Sequence, residues 1–301
     1  MRIIHFTDVH FHRGRALGNV VGKRALGLAN LYLRGRRREY DPDLLVARFV
    51  EEMAALAPDL VIFSGDMTAL ATEGEFAAAQ ACIEPLLKSR PCILIPGNHD
   101  RYAADAAERM ERFFGPWMQG GRWDDSSASW TGGSERWPHR FDVGGLVVLT
   151  TDSNRPGILS NGEHSPGQLD DLRIALKEAG AERSIVVGHY PLLEPSGAPY
   201  DRRGRCLLDR DALEQVLTDA GPMAYLHGHE HRWYTGELQS SSGRAFPLLG
   251  CGSTAYSGHN PDKHAGFYLL EAGADGLNSV QRYRWNGSSF VPFEQVLPKS
   301  S

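Results

Sequence analysis

Five short apolar runs punctuate the chain, and a polar cluster follows each one. The runs are Ile3–Phe6, Leu60–Phe63, Cys92–Ile95, Ile185–Val187 and Ala224–Leu226. Runs this short, rich in Val and Ile and bounded by Gly or Pro, read as buried strands. Helical patterns fill much of the space between them. Asp41-Pro42-Asp43 opens a helix predicted to reach Ala57, where Pro58 stops it. Thr72 and Glu75 form a capping box for a helix through Ala77–Ala81, which Pro85 kinks or ends. Ser165-Pro166-Gly167-Gln168 caps another helix running to Ala179, and Asp209 caps a further one. Arg140–Val143 and Leu146–Thr151 read as a hairpin closed by Gly144-Gly145. From Phe246 onward the pattern is strands only: Phe246–Leu249, Phe267–Glu271, Ser279–Trp285 and Phe290–Phe293, with Asn286-Gly287 turning the last pair.

The expected organisation is one domain over 1–301, with an insert at 13–38 and an all-β part at 246–297. The insert carries seven Arg and one Lys before its first acid, Glu39. Its apolar residues Leu17, Val20, Val21, Ala25, Leu28, Leu31 and Tyr32 recur at helical spacing, although four glycines weaken a helix there. It leaves from directly after His10, so it borders whatever His10 belongs to. Three readings stand: a lid whose arginines grip an anionic substrate, a basic amphipathic surface that docks on anionic lipid, or a solvated face over the core. A second unusual stretch, Trp117 to Trp137, holds four tryptophans among Gly, Ser and Asp. It reads as a loop pinned by aromatic anchors, or as a stacking surface for substrate.

Composition narrows the class. The 301 residues are 42% hydrophobic and 23% charged, ordinary for a globular protein. A net charge of −5 argues against general nucleic-acid binding. No apolar stretch approaches a membrane span. Met1 runs straight into a strand carrying Asp8, with no signal-peptide core, so a cytoplasmic protein is expected, with contact at the inner face of the membrane if the basic insert docks on lipid. The cysteines Cys82, Cys92, Cys206 and Cys251 lack metal-binding or redox spacing and read as free thiols.

The polar clusters after the strands carry the chemistry. They are Asp8-Val9-His10, Gly65-Asp66, Gly97-Asn98-His99-Asp100, Gly188-His189 and Gly228-His229-Glu230-His231. Loops past strand C-terminal ends converge at one edge of an open α/β sheet, so clusters distant in sequence meet there. Asp8-x-His10 or Gly65-Asp66 alone is a weak signal. Gly97-Asn98-His99-Asp100 and the paired imidazoles of His229 and His231 are far more specific, and the ordered set is stronger than any part.

This ordered set resembles the calcineurin-like metallophosphoesterase superfamily. Gln168-Leu169 with its helix, the Gly188-His189-Tyr190-Pro191 turn and Gly252-Ser253 extend the resemblance along nearly the whole chain. It implies an α+β fold, a four-layer α/β/β/α sandwich of two mixed sheets flanked by helices. It also implies two metals per chain. One would take Asp8, His10, Asp66 and His231; the other Asp66, Asn98, His189 and His229, with Asp66 bridging. A shell of imidazole, carboxylate and one amide oxygen suits Mn, Fe or Zn as divalent or trivalent ions. Two such ions against two carboxylates leave an excess of positive charge, which attracts a phosphate and yields a metal-bound hydroxide near neutral pH.

The resemblance implies that His99 is not a ligand but lies near the substrate, as a transition-state stabiliser or proton donor. A hydrogen bond supporting the ligands is the alternative. Asp100 either orients His99 or caps the following turn. His227 reads as an extra ligand or, preferably, as packing at a strand end. The expected reaction is hydrolysis of a small anionic phosphoester, preferably a phosphodiester. The Gly-Asn-His-Asp form looks like bacterial class III cyclic-nucleotide phosphodiesterases. The alternative is a pyrophosphate hydrolase acting on a lipid-linked or nucleotide-sugar substrate; lipid A pyrophosphatases commonly have Arg where this chain has His99. A repair nuclease is a weaker rival because no DNA-binding appendage is evident, and a non-catalytic scaffold on the same fold because every ligand position is filled.

Overall fold

The computed structural model describes residues 1–12, 23–33, 35–157, 159–260, 262–274 and 276–297. Fourteen strands among them form two sheets. The first contains β1 (Arg2–Phe6), β2 (Leu60–Phe63), β3 (Cys92–Leu94), β12 (Gly266–Gly273), β13 (Gly276–Trp285) and β14 (Phe290–Leu297). Its order is β14-β13-β12-β1-β2-β3, with β1, β2 and β3 parallel and the rest antiparallel. The second sheet contains β4 (Gly121–Asp124), β5 (Ser129–Thr131), β6 (His139–Val143), β7 (Leu146–Thr150), β8 (Ser184–Val187), β9 (Ala224–His227), β10 (Tyr234–Gln239) and β11 (Ala245–Gly250). Its order is β10-β11-β9-β8-β7-β6-β4-β5, with β7, β8, β9 and β11 parallel at its centre.

Side-chain alternation builds four layers from these sheets. Ile3, Ile62 and Ile93 of the first sheet meet Val148, Val187 and Leu226 of the second in an apolar seam between them. The intervening residues point outward. Ile4, Phe6, Val61 and Phe63 pack under α2 (Pro42–Leu56), α3 (Glu73–Ser89) and α4 (Ala106–Phe114). Val186 and Tyr225 pack under α5 (Gln168–Ala179) and α6 (Arg210–Ala220). Strands covered on both faces are predominantly apolar, which is why the central runs show no regular polar alternation. The result is the expected α/β/β/α sandwich.

Several elements depart from the sequence reading. The α3 helix does not end at Pro85 but continues to Ser89. Pro85 itself is exposed, while Ile83, Leu86 and Leu87 are buried in the core, so packing offsets the lost backbone hydrogen bond. Asp209 precedes α6 but makes no side-chain cap; its carboxylate instead accepts from the backbone and ring of His164. Within the predicted Ser165–Gln168 cap, Gly167 stands at the N-cap of α5 and no side chain caps it. Three strands escaped the pattern. One is β10; the other two, β4 and β5, turn the tryptophan-rich stretch into a ribbon, with Trp123 opposite Trp130. Trp130 Nε1 donates to the Cys92 carbonyl at 2.9 Å, anchoring that ribbon to β3.

The basic insert is partly visible. Residues 13–22 and Arg34 lie outside the described residues, and with them Leu17, Val20 and Val21. The described part comprises α1 (Lys23–Tyr32) and a 3-10 turn at Arg36–Glu39. Leu31 is buried and Ala25 exposed. Arg24 is buried and points inward: it donates to the carbonyls of Leu70 and Ala71 and pairs with Asp105 at 2.7 Å. At least this arginine is a structural tie rather than part of a solvated face. Among the described residues no helix is long and apolar enough to cross a membrane.

Candidate metal centre

Seven polar side chains meet at the C-terminal ends of five parallel strands. Asp8 and His10 follow β1, Asp66 follows β2, Asn98 follows β3, His189 follows β8, and His229 and His231 follow β9. All seven are at most 4% exposed. The first sheet supplies four of them and the second sheet three, so the cluster straddles the seam.

The donor atoms fall into two adjoining groups. In the first, His10 Nε2 lies 3.0 Å from His231 Nε2 and 3.7 Å from Asp8 Oδ1, and His231 Nε2 lies 3.1 Å from Asp8 Oδ1. Asp66 Oδ2 completes this group, 3.8 Å from His10 Nε2. One donor atom from each of the four lies within 4.8 Å of the others. In the second group, Asn98 Oδ1 lies 3.2 Å from His189 Nε2 and 2.9 Å from His229 Nδ1. His189 Nε2 is 3.3 Å from His229 Nδ1 and 3.5 Å from Asp66 Oδ2. The same Asp66 oxygen therefore faces both groups.

Each carboxylate has one oxygen held by the protein and one aimed into the cluster. Asp8 Oδ2 accepts from the His229 amide and the Thr7 hydroxyl, whereas Oδ1 is buried with no hydrogen-bond donor among the described residues. Asp66 Oδ1 accepts from the His99 amide at 2.7 Å. A buried carboxylate oxygen with no donor is costly unless a cation satisfies it. The imidazoles are prepared in a matching way. His189 Nδ1 lies 2.8 Å from the Ser64 carbonyl and His229 Nε2 lies 2.9 Å from the Arg205 carbonyl. A carbonyl only accepts, so these nitrogens carry hydrogen and the opposite ring nitrogen can present a lone pair to the cluster. His231 Nδ1 shares a hydrogen bond with the Tyr40 hydroxyl. The residues present thus fit a pair of cations with mixed nitrogen and oxygen donors.

Backbone geometry shows the same specialisation. Asp8, His10, Asp66, His229 and His231 all have positive φ, between 50° and 77°. Non-glycine residues rarely adopt this left-handed region, and it costs free energy unless the surroundings enforce it. Here it turns the chain sharply at the strand ends and swings each ligand inward. Glycines clear the way. A Cβ on Gly65 would sit 2.6 Å from His189 Nδ1, and one on Gly228 would collide with Thr7 Oγ1 and Asp8 Oδ2.

Charge follows from this crowding. Burial works against ionising Asp8 and Asp66, yet the surrounding imidazoles, chiefly His231 for Asp8 and His189 for Asp66, hold both carboxyls well below the ordinary range. Burial likewise disfavours a charged His189, but Asp66 and Asp8 outweigh it and push its pKa up to about 9. Cation binding would displace that proton. Behind the cluster, burial brings His5 down to about 3 and His227 to about 4, so both are neutral. His5 Nε2 bonds Ser64 Oγ at 2.8 Å, and His227 packs between Tyr225 and Tyr234, in keeping with core roles.

The residues around the cluster sort differently. The His99 ring stands edge-on to His10, with centroids 4.9 Å apart, and its Nδ1 lies 2.6 Å from the Ala69 carbonyl. Both oxygens of Asp100 are occupied by loop groups: Oδ1 by Thr68, Oδ2 by the amides of Met67 and Gly97. Its carboxylate binds the loop after β2 to the loop after β3, a different contact from the expected one to the His99 ring. The Asn154 amide donates to the Pro96 carbonyl and to Asp152. Sequence reasoning missed Tyr40, which an antiparallel bridge to Tyr256 and ring contact at 5.7 Å fix in place.

The sequence profile of the calcineurin-like phosphoesterase family matches residues 1–233. The chain belongs to that family. Among curated relatives, the "Probable cyclic nucleotide phosphodiesterase" of Rhodococcus erythropolis is 28% identical over 229 residues, 75% of this chain and 67% of that protein. The serine/threonine-protein phosphatase CPPED1 of Mus musculus is 30% identical over 162 residues, 54% of this chain and 48% of that protein. The chain therefore aligns with about half the length of that phosphatase. Among solved structures, a dimetal phosphatase from Danio rerio superposes with a TM-score of 0.58 at 13% identity, covering 97% of this chain and 98% of that one. Purple acid phosphatase PPD1 from yellow lupin superposes with a TM-score of 0.59 at 14% identity, covering 98% of this chain and 52% of that one. These two likenesses establish the fold. Family and relatives together make the chain a metal-dependent phosphoester hydrolase.

Proposed function

We propose that the chain hydrolyses a phosphodiester at a dinuclear metal centre. The observation that carries this reading is the single oxygen, Asp66 Oδ2, lying 3.8 Å from His10 Nε2 in one donor group and 3.5 Å from His189 Nε2 in the other. Asp8, His10, Asp66 and His231 would hold one ion; Asp66, Asn98, His189 and His229 the other. The nitrogen-rich donor set favours Mn, Fe or Zn over Ca or Mg. When bound, such a pair supplies Lewis acidity that activates water and polarises phosphoryl oxygens.

The chain's own residues do the rest. In the reaction a water oxygen bonds to phosphorus, one ester P–O bond breaks, and the departing alkoxide must gain a proton. His99 is the group placed to give it. Its Nδ1–H is held by the Ala69 carbonyl, so the proton it would give is the one on Nε2 of its imidazolium form, and the proton released by the attacking water would restore it. Asp100 acts as a positioning residue, holding the loop of His99 against the loop of Asp66. Burial excludes bulk water and strengthens each of these interactions.

Support for a diester comes from the relative covering 75% of the chain, whose name is that of a phosphodiesterase. The CPPED1 relatives, named as phosphatases, favour a monoester as the second reading. The lipid-linked or nucleotide-sugar pyrophosphate alternative rests on the basic insert, part of which lies outside the described residues. The test is metal content together with turnover of bis(4-nitrophenyl) phosphate and 4-nitrophenyl phosphate in Mn²⁺. We expect two ions per chain and preference for the diester. Fewer than two ions and no turnover in excess Mn²⁺ would refute a dinuclear hydrolase, and preference for the monoester would refute the diester assignment.

A further inference from the structure

A pocket opens beside the first donor group, on the side of His10 and His99, and α1 forms one of its walls. Its enclosed space is about 30 Å³ and widens into open solvent at its mouth, so a ring would enter it in part. Gly27, Leu31, Leu70 and Tyr102 give it an apolar lining. Aromatic faces continue that lining toward the cluster: His99 stacks on Tyr102 at 5.4 Å, and Tyr40 stands against His10 at 5.0 Å. Arg37 is the exposed member of the lining and brings positive charge to it.

The wall is fixed in place. Arg24, buried at the start of α1, ties that helix to Leu70, Ala71 and Asp105 through four hydrogen bonds. Gly27 brings the helix backbone onto its neighbours so closely that a Cβ there would sit 2.6 Å from the Tyr102 hydroxyl. A helix held this way shapes a cavity beside the reacting centre before any substrate arrives, so little ordering is lost when a group enters it.

We propose that this pocket takes the ring or short apolar group carried on the leaving ester oxygen, so that α1 sets which phosphoesters the centre accepts. The inference rests on the phosphoesterase reading, because the phosphoryl group must sit at the donor cluster for its substituent to reach the pocket. Two observations carry it. The pocket shares His10 and His99 with the site, and its remaining lining offers more apolar and aromatic surface than hydrogen-bonding partners. A group entering it would lie next to His99, the residue that protonates the oxygen attached to that group.

The test uses the full chain loaded with Mn²⁺ and two probes, methylphosphonate and phenylphosphonate, with dissociation constants measured by calorimetry. Phenylphosphonate is expected to bind about tenfold tighter, the scale of burying part of one ring. Leu31→Trp fills the pocket and should bring the ratio of the two constants to within about twofold. Leu31→Ala carries the test if the larger side chain prevents folding; it should cut the phenyl preference by about threefold. Equal binding of both probes to the parent protein, or an intact preference in Leu31→Trp that still holds its metal, overturns the proposal. Turnover of bis(4-nitrophenyl) phosphate separates the two failures. If turnover persists without a phenyl preference, only the pocket assignment falls. If turnover and binding are both absent, the phosphoesterase reading fails and the pocket assignment falls with it.

Discussion

The hydroxyl of Tyr40 shares a hydrogen bond with Nδ1 of His231, whose Nε2 faces Asp8 across 3.1 Å. Tyr40 thereby fixes which nitrogen of that ring is presented to the first donor group. Partners of this kind commonly contribute about 10–100-fold to metal affinity. Tyr40→Phe removes the hydroxyl and keeps the ring packed on Tyr256. It is expected to weaken one ion by about tenfold or more in a chelator competition, with the other ion little changed. Unaltered affinity for both ions would show that the phenol contributes nothing to the centre.

Asp66 is the residue both donor groups depend on. Asp66→Ala should empty both metal positions, as read by elemental analysis of the purified protein. Turnover should fall by about three orders of magnitude or more, roughly 4 kcal/mol of barrier. A variant that retains two ions would refute the bridge.

His99 has a narrower assignment. His99→Ala should keep both ions and lose turnover according to the leaving group. Alkyl esters, whose alkoxides need a proton, are expected to slow by about 10²–10⁴-fold. Activated aryl esters should slow much less. Equal losses across a leaving-group series would refute proton donation.

Glu75 gives a test of stability rather than chemistry. Its carboxylate accepts from the amides of Leu70 and Thr72, yet burial, aided by Asp100, raises its pKa from 4.5 to about 7. A group whose pKa is higher in the folded state stabilises the fold fully below its unfolded value and loses that contribution as pH rises through the folded one. Stability should therefore decline between pH 4.5 and about 7 by as much as about 3 kcal/mol on account of this residue. Glu75→Gln should flatten that part of the profile, measured by urea unfolding at several pH values with saturating Mn²⁺. A slope identical to that of the parent would exclude Glu75 as its source.

The convergence of these seven side chains was legible in the sequence because of how they are attached to strands. Each lies within a few residues of a short apolar run that Val, Ile and flanking Gly or Pro mark as a buried strand, and the ends of such strands converge. The capping box of Thr72 and Glu75 and the Gly144-Gly145 hairpin turn were readable because each satisfies a purely local rule. Tyr40 was not readable. It joins the centre through its hydrogen bond to His231 and is held there by a bridge to Tyr256, partners far away in sequence. Pro85 misled because its local cost is visible in the sequence while the burial of Leu86 and Leu87 is not. The β4 and β5 ribbon escaped because Gly and Ser between the tryptophans carry no strand signal; cross-strand pairing of Trp123 and Trp130 supplies what propensity lacks. Asp100 was read as orienting His99 or capping the following turn, and its hydrogen bonds run instead to the loop of Met67 and Thr68 and to the Gly97 amide.

The seven clustered side chains come from both leaves of the sandwich: Asp8, His10, Asp66 and Asn98 from one, His189, His229 and His231 from the other. Ions seated among them would act as rivets through the interior, fastening the start of the polypeptide to a segment more than two hundred residues downstream. Stripping those ions would then do more than silence the enzyme. It would unfasten the leaves at one edge, leave two buried carboxylates with only the surrounding imidazoles to balance them, and open the backbone near Asp66 and His229 to proteases that cannot reach it in the loaded protein.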